Sequence, residues 1–361
     1  MITISLCMIV KNEENILKRC LDSIYDIVDE IIIVDTGSVD KTKEVCRNYT
    51  NNIYDFKWSD DFSKARNFSF DKATKDYILW LDADEYLDEK NRKRLINLKE
   101  NLNKSISVIS TETHMCIDEN NNPKIVARRN RIIKRNEGFK WVGYVHEYIS
   151  IEGINESTVY DSDICIIHDK VKNIDDRNLK IYEKNLKDGK ILSNRDLYYY
   201  GRELYCNLKY EKSIEILKKF IKVSEFKEET VDALCKIGEG YIKQKEYKLA
   251  RIYLYKAFEE DIPRADIMYN IAYSFEEEEK YLQAISWYKI ILNTDISCDT
   301  NQCINMSYLR FRPHLNLCCC YYELKDLPRA YYHHQKCMEL NPNDECVKCN
   351  EKYFNSIIKE R

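Results

Sequence analysis

The chain has 361 residues, 44% of them hydrophobic and 33% charged, with a formal net charge of -4. That length holds two ordinary domains with real cores, which excludes wholesale disorder. So small a net charge predicts neither a nucleic-acid surface nor a polybasic membrane patch, and no apolar run approaches the ~20 residues of a bilayer span.

Residues 3–10 read as a first strand. They lack the basic lead and small-residue cleavage site of a signal peptide, and Lys11-Asn12-Glu13-Glu14 follows at once, so the expected location is the cytoplasm. A helix follows with Ile16, Leu17, Cys20, Leu21 and Ile24 on one face. Residues 30–34 form a second strand ending at Asp35, and Thr36-Gly37-Ser38-Val39-Asp40 turns the chain into a helix that runs to about 48. A short strand at 53–56, a helix over about 63–73 and a strand at 77–81 come next, and Asp82-Ala83-Asp84 ends the series. Strand alternating with helix predicts right-handed crossovers and a mostly parallel, Rossmann-like sheet. No Gly-x-Gly-x-x-Gly follows the first strand, which argues against a dinucleotide cofactor.

Beyond about residue 175 the pattern becomes helical and repeats. Gly201, Gly238, Ala272 and Cys318 are separated by 37, 34 and 46 residues, and each is followed at matched offsets by Ser213, Ala250, Ala284 and Ala330. Small residues at this period, with aromatics between them, predict an all-α array of about four tetratricopeptide-like helix pairs. The domains are thus expected at 1–175 and 176–361, with an insertion near 294–305 accounting for the long last interval. The 15 cysteines, without a secretory signal, are expected as reduced thiols packed like small hydrophobes. His333, His334, Cys337, Cys346 and Cys349 have incomplete zinc spacing, and two of them fall within the repeat pattern; packing is the preferred reading and zinc stays open.

The chemistry concentrates in the first half. Asp82 and Asp84 follow a buried strand, where open α/β sheets bind ligands, and both can direct oxygen at one hard cation shared with substrate phosphates. Asp35 ends the second strand and can accept from a ribose hydroxyl or a base N–H. Arg66 brings a planar fork suited to phosphate. Each has a plain alternative: Asp35 could cap a turn, Arg66 could be a solvated helix charge, and Glu13 could favour a helix start.

In this order, Cys7-Met8-Ile9-Val10-Lys11-Asn12-Glu13-Glu14, Val34-Asp35-Thr36-Gly37-Ser38, Ala65-Arg66-Asn67 and Leu81-Asp82-Ala83-Asp84-Glu85 resemble the family 2 glycosyltransferases of GT-A fold over about residues 1–170. Trp141-Val142-Gly143-Tyr144-Val145-His146-Glu147 and Ile166-Ile167-His168-Asp169 are similar to a branch that includes lipopolysaccharide-modifying and peptide glycosyltransferases. The resemblance implies a nucleotide-sugar donor, a UDP-hexose or UDP-N-acetylhexosamine, and Mn²⁺ or Mg²⁺. It places Asn12, Glu13, Asp35, Arg66 and Asp82 at the nucleotide, Asp82, Asp84 and His168 at the metal, and Glu147 as the base of an inverting transfer. The acceptor is expected to be a peptide, protein or glycan, and the repeats to bind that acceptor or form a homodimer. Two rival readings are a nucleotidyltransferase and a non-catalytic repeat adaptor carrying a relic nucleotide-binding domain.

Overall fold

Ile4–Val10 (β1) is apolar on both faces and almost wholly buried, as a strand covered on both sides must be. In the computed structural model, which describes residues 1–117, 123–151, 153–169, 176–262, 264–294 and 306–359, it is the third strand of an eight-stranded sheet. β2 (Glu30–Asp35), β3 (Ile53–Asp55) and β4 (Tyr77–Trp80) follow, alternating with α1 (Leu17–Asp22), α2 (Thr42–Arg47) and α3 (Phe62–Phe70). The chain goes on through β5 (Glu85–Tyr86), α4 (Glu89–Asn101), β6 (Val108–Ile117), β7 (Pro123–Lys134), β8 (Lys140–Val142), β9 (Tyr148–Ser150), β10 (Val159–His168) and α5 (Arg177–Lys187).

The sheet order is β3-β2-β1-β4-β7-β6-β10-β5, with β8 and β9 as a separate hairpin. β1, β2, β3 and β4 pair in parallel, as expected. The far half is mixed, because β7 runs antiparallel to both β4 and β6, and β5 antiparallel to β10. Growth of the sheet reverses between β1 and β4, so their carboxyl ends frame a topological switch point, where a crevice forms. The outer edge of β10 is not open: Arg94 donates to the Asp163 carbonyl, and Asn91 Oδ1 accepts from the Cys165 amide at 2.8 Å. Side chains of α4 thus blunt an edge that could otherwise pair with another strand.

The two units part between Asp188 and Gly189 rather than at 175/176. α5 therefore belongs with the sheet, where Lys184 pairs with Asp60. The insertion expected at 294–305 lies, apart from Thr294, outside the described residues.

The second unit holds the pairs α6 (Asn194–Cys206) with α7 (Tyr210–Phe220), α8 (Lys227–Lys243) with α9 (Tyr247–Glu260), α10 (Ala265–Glu276) with α11 (Tyr281–Asn293) and α12 (Phe311–Glu323) with α13 (Leu327–Leu340). α14 (Glu345–Lys359) follows and buries Val347 and Phe354. The small residues are needed where the helices of a pair touch: a Cβ on Gly201 or Gly238 would lie 2.6 Å from Cγ of Leu217 or Leu254. The period also recurs in the backbone. Leu208, Lys245, Glu279 and Lys325 all adopt positive φ near 60° at the turn within each pair. The next amide in each case donates to the carbonyl five residues back at 2.9 Å, which closes the helix end in the same way four times.

His333 is buried in the last pair with its Nδ1 2.8 Å from Nδ1 of His314, and its ring stacks on Tyr321. Burial, then the nearby His314 and Lys289, push its pKa down to about 4. A depressed histidine binds fewer protons in the folded state, so its contribution is intact above about pH 6.5 and is lost as pH falls towards 4. Urea unfolding of the second unit is expected to show a loss of roughly 1–2 kcal/mol between pH 7 and 5, a window that His333→Phe flattens. An unchanged midpoint in the wild-type chain would refute it.

Candidate active site

Asp35 terminates β2 at the crevice. Its Oδ1 accepts from the amides of Gly37 and Ser38, both at 2.9 Å, which fixes the turn that the sequence Thr-Gly-Ser encodes. Its buried Oδ2 has no hydrogen-bond partner among the described residues. A buried carboxylate oxygen left in that state suits an incoming donor such as a hydroxyl or a base N–H. Asn12 and Glu13 lie in the loop after β1 and knit it to this turn. Asn12, at φ 55°, accepts from the Val39 amide and donates its own amide to Ser38, while the Glu13 amide donates to Thr42 Oγ1 at 2.7 Å.

The second cluster centres on Arg66 of α3, which is 7% exposed. Its guanidinium packs against both Trp80 and Trp141, 5.0 and 4.7 Å from their ring centroids, where the two rings meet edge-on. Nε donates to Glu147 at 2.6 Å and Nη2 to Asp82 at 2.8 Å. Burial works against the Asp82 charge, but Arg66 and then Arg131 overcome it and hold its carboxyl at about 2. Glu147 follows His146, which sits at φ 53°, a conformation a non-glycine residue keeps only when its surroundings impose it. The surroundings here are two anchors from α3: Phe62 N donates to the Tyr144 carbonyl, and Asn67 both donates to and accepts from the Trp141 backbone.

Asp84 and His168 meet because β5 pairs with the end of β10, which sets His168 opposite Glu85. His168 Nε2 lies 3.2 Å from Asp84 Oδ2. Burial disfavours the charged ring, yet Asp84 and then Glu85 and Asp82 raise its pKa above the ordinary value. Asp84 and His168 are thus a convergent oxygen–nitrogen pair fit for a hard or borderline cation, with further ligands drawn from phosphate and water. Asp82 is turned to Arg66 instead. Among the described residues no three His, Cys, Asp or Glu side chains gather as a metal cage, at this site or around His333. Cys346 and Cys349 are exposed thiols.

Sequence reasoning missed what holds these groups. Glu85 and Arg131 are both fully buried and form a two-pronged ion pair, Oε2 to Nη1 at 2.7 Å and Oε1 to Nη2. Glu85 Oε2 also accepts the Asp82 amide at 2.9 Å, and Arg131 lies 3.8 Å over the Trp80 ring. Glu85 carried a signal, since it alternates with the apolar Ala83 and Leu87. Arg131, within Arg128-Arg129-Asn130-Arg131, carried none.

Residues 5–153, which carry the switch-point crevice, the turn-ending Asp35 and the strand-end Asp82-Ala83-Asp84, match the family model for glycosyl transferase family 2. The chain joins these matched residues to an array of repeating helix pairs. Glycosyltransferase SunS of Bacillus phage SPbeta is 28% identical over 274 residues, covering 73% of this chain and 64% of that protein, and the prophage-derived SunS of Bacillus subtilis matches equally. A TPR repeat-containing protein of Synechococcus elongatus is 49% identical over 87 residues, 24% of this chain and 22% of that one. The chain therefore spans about a fifth of one curated relative and just under two thirds of the other. Among solved structures, pilF of Pseudomonas aeruginosa is 16% identical with a TM-score of 0.37 over 49% of this chain and 73% of that one. Among the described residues no helix is long and apolar enough to cross a membrane.

Proposed function

We propose that the first unit transfers a sugar, with inversion, from a uridine-linked nucleotide donor to a peptide or saccharide acceptor. The observation that carries this reading is the Asp84–His168 pair at the carboxyl edge, beside the Arg66–Asp82–Glu147 network. Asp35 receives the nucleoside through its unpartnered oxygen. Asp84 and His168 hold a divalent cation, which when bound supplies Lewis-acid stabilisation of the leaving diphosphate. Arg66 acts through the two carboxylates it grips: it fixes Asp82 at the donor and aims Glu147 at the acceptor. One Glu147 oxygen is held by Arg66 Nε, and a carboxylate's other oxygen is the one to take the acceptor proton during in-line attack.

The test is a panel of nucleotide sugars with Mn²⁺, Mg²⁺ or EDTA, read by thermal shift and donor hydrolysis. One uridine-linked sugar is expected to stabilise the chain and to be cleaved only with metal. Asp84→Ala is expected to lower turnover by at least about 100-fold without unfolding, since it removes charge stabilisation present at the transition state. Glu147→Gln is expected to keep donor binding and lose transfer. Full activity of Asp84→Ala would refute the assignment, and silence towards every nucleotide would favour an adaptor.

A further inference from the structure

A groove of about 720 Å³ starts at His168 and follows β10 and the first turns of α4. Its size is that of a small-molecule site, and apart from His168 none of its lining residues has a role in the transfer proposed above. His168 joins it to Asp84, so a ligand lying in it would end beside the proposed reaction centre.

The walls state what kind of ligand fits. Most of their charges are met within the protein; Asp88 accepts from the backbone and side-chain amides of Asn91, and Lys90 stands exposed at the rim. Arg94 Nε lies 3.0 Å from Asp163, Glu112 meets Arg128 at 3.4 Å, and Arg19 bonds Asp169 at 2.7 Å. Neither a strongly anionic nor a strongly cationic ligand gains from such a surface. A strand-like peptide is excluded as well, because Asn91 and Arg94 occupy the β10 backbone edge it would need. What remains is a dense array of fixed donors and acceptors of both kinds, which suits a neutral ligand with many hydroxyls.

We infer that this groove binds a neutral saccharide, the acceptor of the proposed transfer, with one hydroxyl presented at the His168 end. This rests on the transferase reading for its role but not for its binding.

The probes are lactose, maltose, cellobiose and chitobiose, tested by saturation-transfer NMR on the full chain, its Glu112→Gln and Asp163→Asn variants, and Lys90→Trp. Lys90 is exposed on the groove rim, so its replacement blocks the groove even if the other two variants unfold. At least one disaccharide is expected to bind, with affinity falling 10-fold or more in a folded variant while metal-dependent donor hydrolysis stays within twofold. Binding of no disaccharide would overturn the inference, as would binding indifferent to every folded variant. Variant-sensitive binding of a lysine-rich or serine-rich peptide in place of any sugar would also overturn it. Groove-dependent saccharide binding without any donor hydrolysis would sink the transferase reading and leave the saccharide site standing.

Discussion

Arg131→Met is expected to destabilise the first unit by about 3–5 kcal/mol, because it leaves the Glu85 carboxylate buried without its counter-charge. In a unit of this size that is a fall in Tm of roughly 6–20 °C. The loss reflects the orphaned charge more than the worth of the pair. Glu85→Leu combined with Arg131→Met is therefore expected to recover most of it, since apolar replacements of a buried ion pair are often neutral. Function is expected to part from stability in that double variant. With Glu85 gone, the Asp82 amide has lost its acceptor and the loop carrying Asp84 keeps only backbone anchors such as the Asp169 amide on the Asp84 carbonyl. Mn²⁺ affinity, measured by titration calorimetry, should then fall about 10–100-fold, the usual effect of losing a group that orients a ligand. A single Arg131→Met variant within about 1 kcal/mol of wild type would show that the pair is not holding the sheet.

That pair also marks where the sequence stops being legible. β1, β2 and β4 announce themselves as largely apolar runs with a polar residue at each end, because helices cover both faces of this part of the sheet. Asp35 and Asp82 stand out for the same reason. β7 gives no such sign. It carries Arg128, Arg129 and Arg131, and only the antiparallel pairing with β4 and β6 brings Arg131 under Trp80 and against a glutamate 46 positions away. Partner choice is a tertiary fact. It also sets Asp82, whose Oδ1 accepts from Arg66. The repeats were legible because small residues recur at matched offsets, and at Gly201 and Gly238 the partner helix leaves no room for a Cβ. The allegiance of α5 was not, since an amphipathic helix reads alike whichever core it covers.

Arg66→Lys is the other substitution expected to have a large effect, and it separates two roles for that residue. The guanidinium is flat enough to pack on two indoles that meet edge-on and forked enough to reach two carboxylates at once. A lysine keeps the charge, so the chain should stay folded, but its ammonium can serve only one of Asp82 and Glu147 well. Misplacing either group by about 1 Å is worth about 100-fold in rate, which is the fall expected in kcat. The donor KM should move less than about threefold if Arg66 works through these carboxylates, because the ground-state complex then loses no direct contact. A guanidinium that instead gripped the diphosphate, as the family resemblance alone implies, would raise donor KM along with the fall in kcat. Steady-state kinetics of this one variant at fixed metal decides between them: a pure kcat effect places Arg66 behind the reacting groups, and a dominant KM effect puts it on the nucleotide and removes the network from the mechanism.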